Sequence, residues 1–254
     1  MLAVERRYKI EELINRDKSV MVTELAKLFD VTPETIRGDL LRLEKRGVLV
    51  RTYGGATISD GSGSELSYHE RDVVNAEAKH NIAANAAKII RNGETIFLDA
   101  STSSLYLARS IKDKEGLTVI TNAVSIINEL ADCSNIKLIS TGGRLSKRNL
   151  SYVGRFAEKM IRQNLVANKM FFSCKGVTIS RGLCDTSEDE ADIKRAMMDV
   201  SDFVVFLCDH NKLGRKGVPV IAPIDRIHTF ITDVRLDGEW HDALEKHDVN
   251  IITV

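Results

Sequence analysis

A chain of 254 residues, 43% hydrophobic and 28% charged with three prolines, has the composition of an ordinary globular protein and the length for two domains, each with its own core. No apolar run is long enough to span a bilayer, so a membrane protein is not expected. The formal net charge is zero, so no overall field favours nucleic acid, and any such role must rest on where individual charges point.

The N-terminus mixes Glu5, Arg6, Arg7 and Lys9 with isolated apolar residues. It lacks the continuous apolar segment of a secretory signal, and a cytoplasmic location is expected. Cys133, Cys174, Cys184 and Cys208 show no Cys-x-x-Cys spacing and fall near predicted buried elements, which reads as reduced thiols with no metal. Residues 1–57 hold about 11 Lys and Arg against about 9 Asp and Glu, a weak excess.

Three helical signals follow one another. Val4 to Asn15 places Ile10, Leu13 and Ile14 on one side. Thr23 to Phe29, with Val22, Leu25, Ala26 and Phe29 at i, i+3, i+4, i+7, forms a short amphipathic helix. After a tight turn at Asp30-Val31, Thr32-Pro33-Glu34 is a helix start: the hydroxyl caps free N–H groups, proline suits the first position, and the carboxylate faces the positive helix end. This third helix turns Ile36, Leu40 and Leu43 inward. Glu34, Gly38, Leu41, Arg42 and Lys45 lie roughly opposite, with Thr35 and Arg37 on the flanks. A helix so held, with its N-terminal turns outward, has the geometry that enters a major groove. The β-rich segment Val48 to Ala56, punctuated by glycines, predicts a hairpin wing carrying Arg51 and Tyr53. The whole predicts a winged helix-turn-helix over 1–58, with Thr32, Glu34, Thr35, Arg37, Gly38, Arg42, Lys45, Arg51 and Tyr53 as DNA-facing candidates. The competing readings are a three-helix bundle with merely solvated charges and a protein adaptor.

Ser59-Asp60-Gly61-Ser62-Gly63-Ser64 predicts a flexible connector, and a linker is placed over 59–74. From Ala76 onward helical segments alternate with short β-branched runs at Thr95–Leu98, Leu117–Thr121, Lys137–Ser140, Lys169–Ser173, Phe203–Cys208, Thr229–Thr232 and Asn250–Thr253. The fold class is therefore α/β: a small N-terminal winged helix-turn-helix followed by a mostly parallel α/β domain over 75–254.

Ligands of parallel sheets bind beyond the C-terminal strand ends. The first such end reads Asp99-Ala100-Ser101-Thr102-Ser103-Ser104 and runs into a helix, a phosphate cradle in prospect. Another reads Thr141-Gly142-Gly143-Arg144, where the glycines admit a close ligand and Arg144 can pair with an anion. A third carries Asp209 and Lys212. Asn122, Lys175, Glu188, Glu190 and Lys194 complete the candidates. Each also has a plain structural reading, as a helix cap, a turn or a solvated charge.

Several segments resemble the DeoR family of bacterial regulators. In the N-terminal part they are Val22-Thr23-Glu24-Leu25-Ala26, Val31 to Leu40 and Arg51 to Ala56. Further on they are Asp99 to Ser104, Gly142-Gly143, Ser151-x-x-Gly154, Gly176-Val177, Glu190-Ala191-x-x-Lys194-Arg195-Ala196-Met197 and Asp209-x-x-Lys212-x-Gly214. The resemblance implies a cytoplasmic repressor of a carbohydrate-utilisation operon acting on double-stranded operator DNA. It also implies a C-terminal sensor domain related to ribose-5-phosphate isomerase, a phosphorylated sugar as effector, no cofactor, and a homo-oligomer, dimer or tetramer. Which sugar is sensed stays open, a deoxy-sugar such as rhamnose being one candidate suggested by Cys174-Lys175-Gly176. The family usually has two arginines before the aspartate, whereas this chain has Arg37 then Gly38. A helix-interior glycine costs about 1 kcal/mol relative to alanine and takes a side chain off the DNA-directed face, so a closer backbone approach is expected. The alternative of an active sugar-phosphate isomerase needs a carboxylate base. The matching loop, Ser173 to Val177, instead carries Lys175 where most relatives have an aspartate.

Overall fold

The computed structural model describes residues 1–46, 48–58 and 68–254. The described chain divides into two compact units, Met1–Val74 and Asn75–Val254.

The first unit opens with α1 (Ala3–Asp17), β1 (Ser19–Met21), α2 (Val22–Phe29) and α3 (Pro33–Lys45), then the hairpin β2 (Leu49–Thr52) and β3 (Gly55–Ile58). Thr32 caps α3 by accepting from the Thr35 N–H at 3.2 Å, with Pro33 in the first turn. Ile10, Ile14, Leu25, Ile36, Leu40 and Leu43 form one core with Val48, Leu49 and Ala56 of the hairpin segment. The three-helix and wing expectation holds. Unanticipated is β1, which makes the wing a three-stranded antiparallel sheet in the order β1-β3-β2. Gly55 is demanded here, since a Cβ would lie 2.2 Å from the Val20 carbonyl oxygen.

The glycine-serine run 59–64 expected as a connector lies outside the described residues. Within the wider 59–74 span, Tyr68–Val73 forms a helix, α4. Tyr68 is buried, and Val74 packs on Tyr8 of α1. That end of the span is thus ordered by apolar contact rather than loose.

The second unit begins with α5 (Ala76–Lys88), β4 (Thr95–Leu98), α6 (Thr102–Ser110), β5 (Leu117–Thr121), α7 (Val124–Leu130) and β6 (Ile136–Ser140). A hairpin β7 (Arg144–Ser146) and β8 (Ser151–Val153), α8 (Arg155–Asn164) and β9 (Ala167–Phe172) follow. Then come β10 (Gly176–Thr178), β11 (Gly182–Cys184), α9 (Glu188–Asp199), β12 (Ser201–Cys208), β13 (Val220–Ala222), β14 (Thr229–Thr232), α10 (Gly238–Glu245) and β15 (Asn250–Thr253). Seven strands form one wholly parallel sheet in the order β15-β14-β12-β9-β4-β5-β6. All seven strands predicted from sequence are these seven.

Both faces are covered, as near-continuous apolar strands require. Phe97, Met170, Phe172, Val204, Phe206 and Phe230 share a cluster with Ala157 and Ile161 of α8, Ala191 and Met197 of α9, and Leu244 of α10. The alternate residues Ile96, Leu98, Phe171, Val205, Leu207 and Ile231 are buried as well, with α5, α6 and α7 packed in succession on that side. From β4 the chain steps outward through β5 to β6, then returns to β9 on β4's other side and continues through β12, β14 and β15. The strand order reverses between β4 and β9, and a crevice opens at such a switch point beyond the strands' C-terminal ends.

Candidate functional site

The outer face of α3 is the candidate in the first unit. Thr32, Glu34, Arg37, Gly38, Arg42 and Lys45 are exposed, Thr35 is half-buried, and Arg51 and Tyr53 stand exposed on the hairpin. Arg6, Glu34, Thr35, Gly38, Asp39, Leu41, Arg42 and Lys45 line a groove of about 390 Å³ along the helix. Two of the candidates have structural work besides: Thr32 is the cap, its hydroxyl also 2.9 Å from that of Thr35. Arg51 is tied to Glu44 through its backbone N–H at 3.0 Å and its side chain at 2.7 Å, fixing the hairpin against α3. Arg37 pairs with Glu34 at 2.8 Å, an exposed link that a phosphate can readily displace.

Sequence pattern does not single out the ion cluster at the floor of this groove. Asp39 is buried and takes Arg6 at 2.6 Å and Arg7 at 3.2 Å, joining α1 to the flank of α3. Its signal is an aspartate one turn before Leu43 on the inward side, legible only once a partner helix is known.

In the second unit the strand ends bring together most of the predicted residues. Asp99 follows β4 and its Oδ1 accepts from the hydroxyls of Ser101 and Ser104, each at 2.6 Å. Ser101 caps α6 by accepting from the Ser104 N–H at 3.1 Å. Lys194, reaching in from α9, lies 2.8 Å from Asp185 Oδ2 and 3.4 Å from Asp99 Oδ2. Burial would push this ammonium toward neutrality, but Asp185, Asp99 and Glu190 together raise its pKa and keep it charged. Glu190 accepts from Asn149 at 3.0 Å and from the Ser151 hydroxyl. Asn122, at the end of β5, donates to the Tyr152 carbonyl at 3.1 Å.

Beyond β12, Asp209 takes Lys212 at 3.1 Å and the Asn75 amide at 3.1 Å. Burial favours the neutral acid, yet Lys212 and Lys79 outweigh it and hold Asp209 at about 2. Lys175 is half-buried just past β9. Asp185, Asn149, Ser151 and Lys79 are contributors that strand-end reasoning does not select, because Asp185 follows the three-residue β11 and Asn149 lies in the β7–β8 hairpin.

Two candidates lie apart from this cluster. Arg144 is exposed and bonds to Asp189 on the first turn of α9, and Glu188 is exposed and held by Arg195 at 2.9 Å. Gly142 and Gly143 adopt φ of 62° and 117°. At Gly143 a Cβ would meet Ala157 and the Val153 carbonyl, both at 2.9 Å, so close packing on α8 explains that glycine without a ligand.

Buried atoms short of hydrogen-bond partners mark the crevice: Asp99 Oδ2, whose contact is the 3.4 Å ion pair with Lys194, and Ser103 Oγ, Asn122 Oδ1 and, at the end of β14, Thr232 Oγ1, which have no hydrogen-bond partner. Each such atom costs about 1–3 kcal/mol if left so. The first three sit at the ends of the adjacent strands β4 and β5, beside the first turn of α6. Two of them are acceptors only, so a fitting ligand presents hydroxyl donors, while the N–H groups at the start of α6 suit an anion.

Two family descriptions match the chain: a DeoR-like helix-turn-helix domain over residues 6–61 and a DeoR C terminal sensor domain over residues 74–234. Relatives include the uncharacterised HTH-type transcriptional regulator YulB of Bacillus subtilis, 41% identical over all of this chain and 98% of its own length. The L-fucose operon activator of Haemophilus influenzae is 33% identical over 94% of this chain and 96% of its own. The transcriptional repressor AccR of Agrobacterium fabrum is 33% identical over 90% of this chain and 89% of its own. Among solved structures, ribose 5-phosphate isomerase A of Methanocaldococcus jannaschii is 14% identical with a TM-score of 0.42 over 56% of each chain, too distant a likeness to bear on chemistry.

Proposed function

Because the chain belongs to the DeoR family of helix-turn-helix transcriptional regulators, we propose that it is a DNA-binding repressor of a carbohydrate-utilisation operon, released or recruited by a phosphorylated sugar held in its second unit. The observation that carries the DNA half is the division of α3. Ile36, Leu40 and Leu43 are fully buried while Arg37, Gly38, Arg42 and Lys45 stand in the open, the arrangement of a helix that reads a groove. Repression asks for nothing beyond occupancy of an operator overlapping a promoter, and this face supplies occupancy.

The effector half rests on two buried acceptors beside the α6 N-terminus, Asn122 Oδ1, which has no hydrogen-bond partner, and Asp99 Oδ2, which has only a 3.4 Å ion pair with Lys194. Sugar hydroxyls complete the acceptors, and a phosphate suits the helix start. Two copies reading paired half-sites make control through head spacing effective, so the acting form is a homo-oligomer. The protein works without catalysing isomerisation. No helix among the described residues is long and apolar enough to cross a membrane.

A thermal-shift screen of the purified chain against pentose, hexose and deoxyhexose phosphates tests the effector half. One compound is expected to raise the melting temperature in a concentration-dependent way; a flat response to the whole set contradicts it. Incubating the same compounds with the protein and following aldose–ketose interconversion tests the absence of catalysis, and turnover above background overturns it.

A further inference from the structure

Gly38 is a glycine that its own chain does not require. It is the sixth of thirteen residues in α3, has ordinary helical φ rather than a positive one, and is exposed. A Cβ placed there would meet nothing within 4 Å among the described residues. Gly55 and Gly143 differ, since neighbouring backbone forbids a side chain at both. Apart from proline, glycine is the least favourable residue in a helix interior. The packing of the described residues therefore gives no reason for it.

The surroundings say what approaches. Thr35 and Leu41 lie three residues to either side on the same helical ridge, and Leu41 is 37% exposed although apolar. With the bare Cα of Gly38 between them they make an apolar strip. Arg42 and Lys45 border the same groove, placed to meet phosphates. In the major groove the apolar group a base pair presents is the thymine C5-methyl.

We propose that Gly38 is a specificity-determining residue: it leaves a notch on α3 that receives a thymine methyl against the Gly38 Cα, Thr35 and Leu41. The inference rests on the DNA-binding reading above and adds to it the base that this position selects. An alanine at 38 would put its own methyl where the thymine methyl goes.

The test starts from duplexes enriched out of a random pool by the full-length wild-type chain, with affinities measured at one fixed salt concentration. Gly38→Ala is expected to raise the melting temperature, because alanine favours the helix, yet to bind those duplexes roughly five- to tenfold more weakly. Replacing the enriched thymidines one at a time by deoxyuridine should, at one position per half-site, weaken wild type by a similar factor and leave Gly38→Ala almost unaffected. Equal affinity of Gly38→Ala and wild type overturns the proposal, as does indifference of wild type to deoxyuridine at every position. If wild type enriches no duplex, the DNA-binding reading itself falls and the notch with it, which separates the two failures.

Discussion

At the scale of single residues the crevice of the second unit contains side chains that hold the fold and side chains that the fold does not need, and they can be told apart by mutation. Lys194 lies among Asp99, Asp185 and Glu190; taking it away strands buried carboxylates. Lys194→Ala is expected to cost about 3–5 kcal/mol in urea unfolding of the second unit. Ser103 Oγ is buried with no partner, so Ser103→Ala should raise the urea-unfolding stability of the second unit by about 1 kcal/mol or more while shrinking the thermal shift given by an effector. A loss of stability in Ser103→Ala would show that the hydroxyl serves the fold. Asp209 offers a pH test, because its folded pKa of about 2 lies below its ordinary 3.8. The stability it lends is complete above roughly pH 4 and is lost as pH falls through about 2, amounting to about 2 kcal/mol. Urea midpoints followed from pH 4.5 to 2 should fall further for wild type than for Asp209→Asn by that amount.

At the scale of elements, α3 is fixed at its flank by charge and at its start by a cap. Asp39 joins it to Arg6 and Arg7 of α1, so Asp39→Ala leaves two guanidinium groups buried without their partner. A cost of about 3 kcal/mol or more is expected, against about 1 kcal/mol for Thr32→Ala, read from the unfolding transition of the first unit with that of the second unchanged. Equal and small effects would mean that apolar packing alone positions the helix. Elements of this kind were legible in the sequence where a periodic pattern ran over four or more residues, the helix Tyr68–Val73 in the expected linker being an exception. β4, β5, β14 and β15 fall on their predicted residues, and α3 starts where Thr32-Pro33-Glu34 places it. What stayed hidden were the three-residue strands. β1 is set by pairing with the distant β3, and β10, β11 and β13 form a sheet of their own, so no local periodicity marks them. The same gap hid part of the site, since Asp185 is positioned by β11. Arg144 shows what a linear pattern leaves out: the sequence places a cation beside a Gly-Gly turn, and the fold adds an exposed pairing with Asp189 of α9, while packing against Ala157 and Val153 accounts for Gly143.

At the scale of the whole molecule, a neutral chain binds DNA by distribution rather than by total charge. Binding through Arg37, Arg42, Lys45 and Arg51 should weaken steeply with salt, and Arg42→Ala should lower the slope of log affinity against log salt concentration by about 1. A second unit that only stores or only converts sugar phosphate would leave that affinity untouched, whereas a sensor must bind its ligand with different strength in the DNA-bound and free states. The decisive measurement is therefore a titration of a fluorescent, protein-selected duplex with the full chain at fixed salt, without and with the compound that gives the largest thermal shift. Salt-sensitive binding is expected, with an affinity that moves by about tenfold or more with the compound, a coupling of roughly 1.4 kcal/mol. An unchanged isotherm with ligand present, or no binding to any duplex, contradicts it.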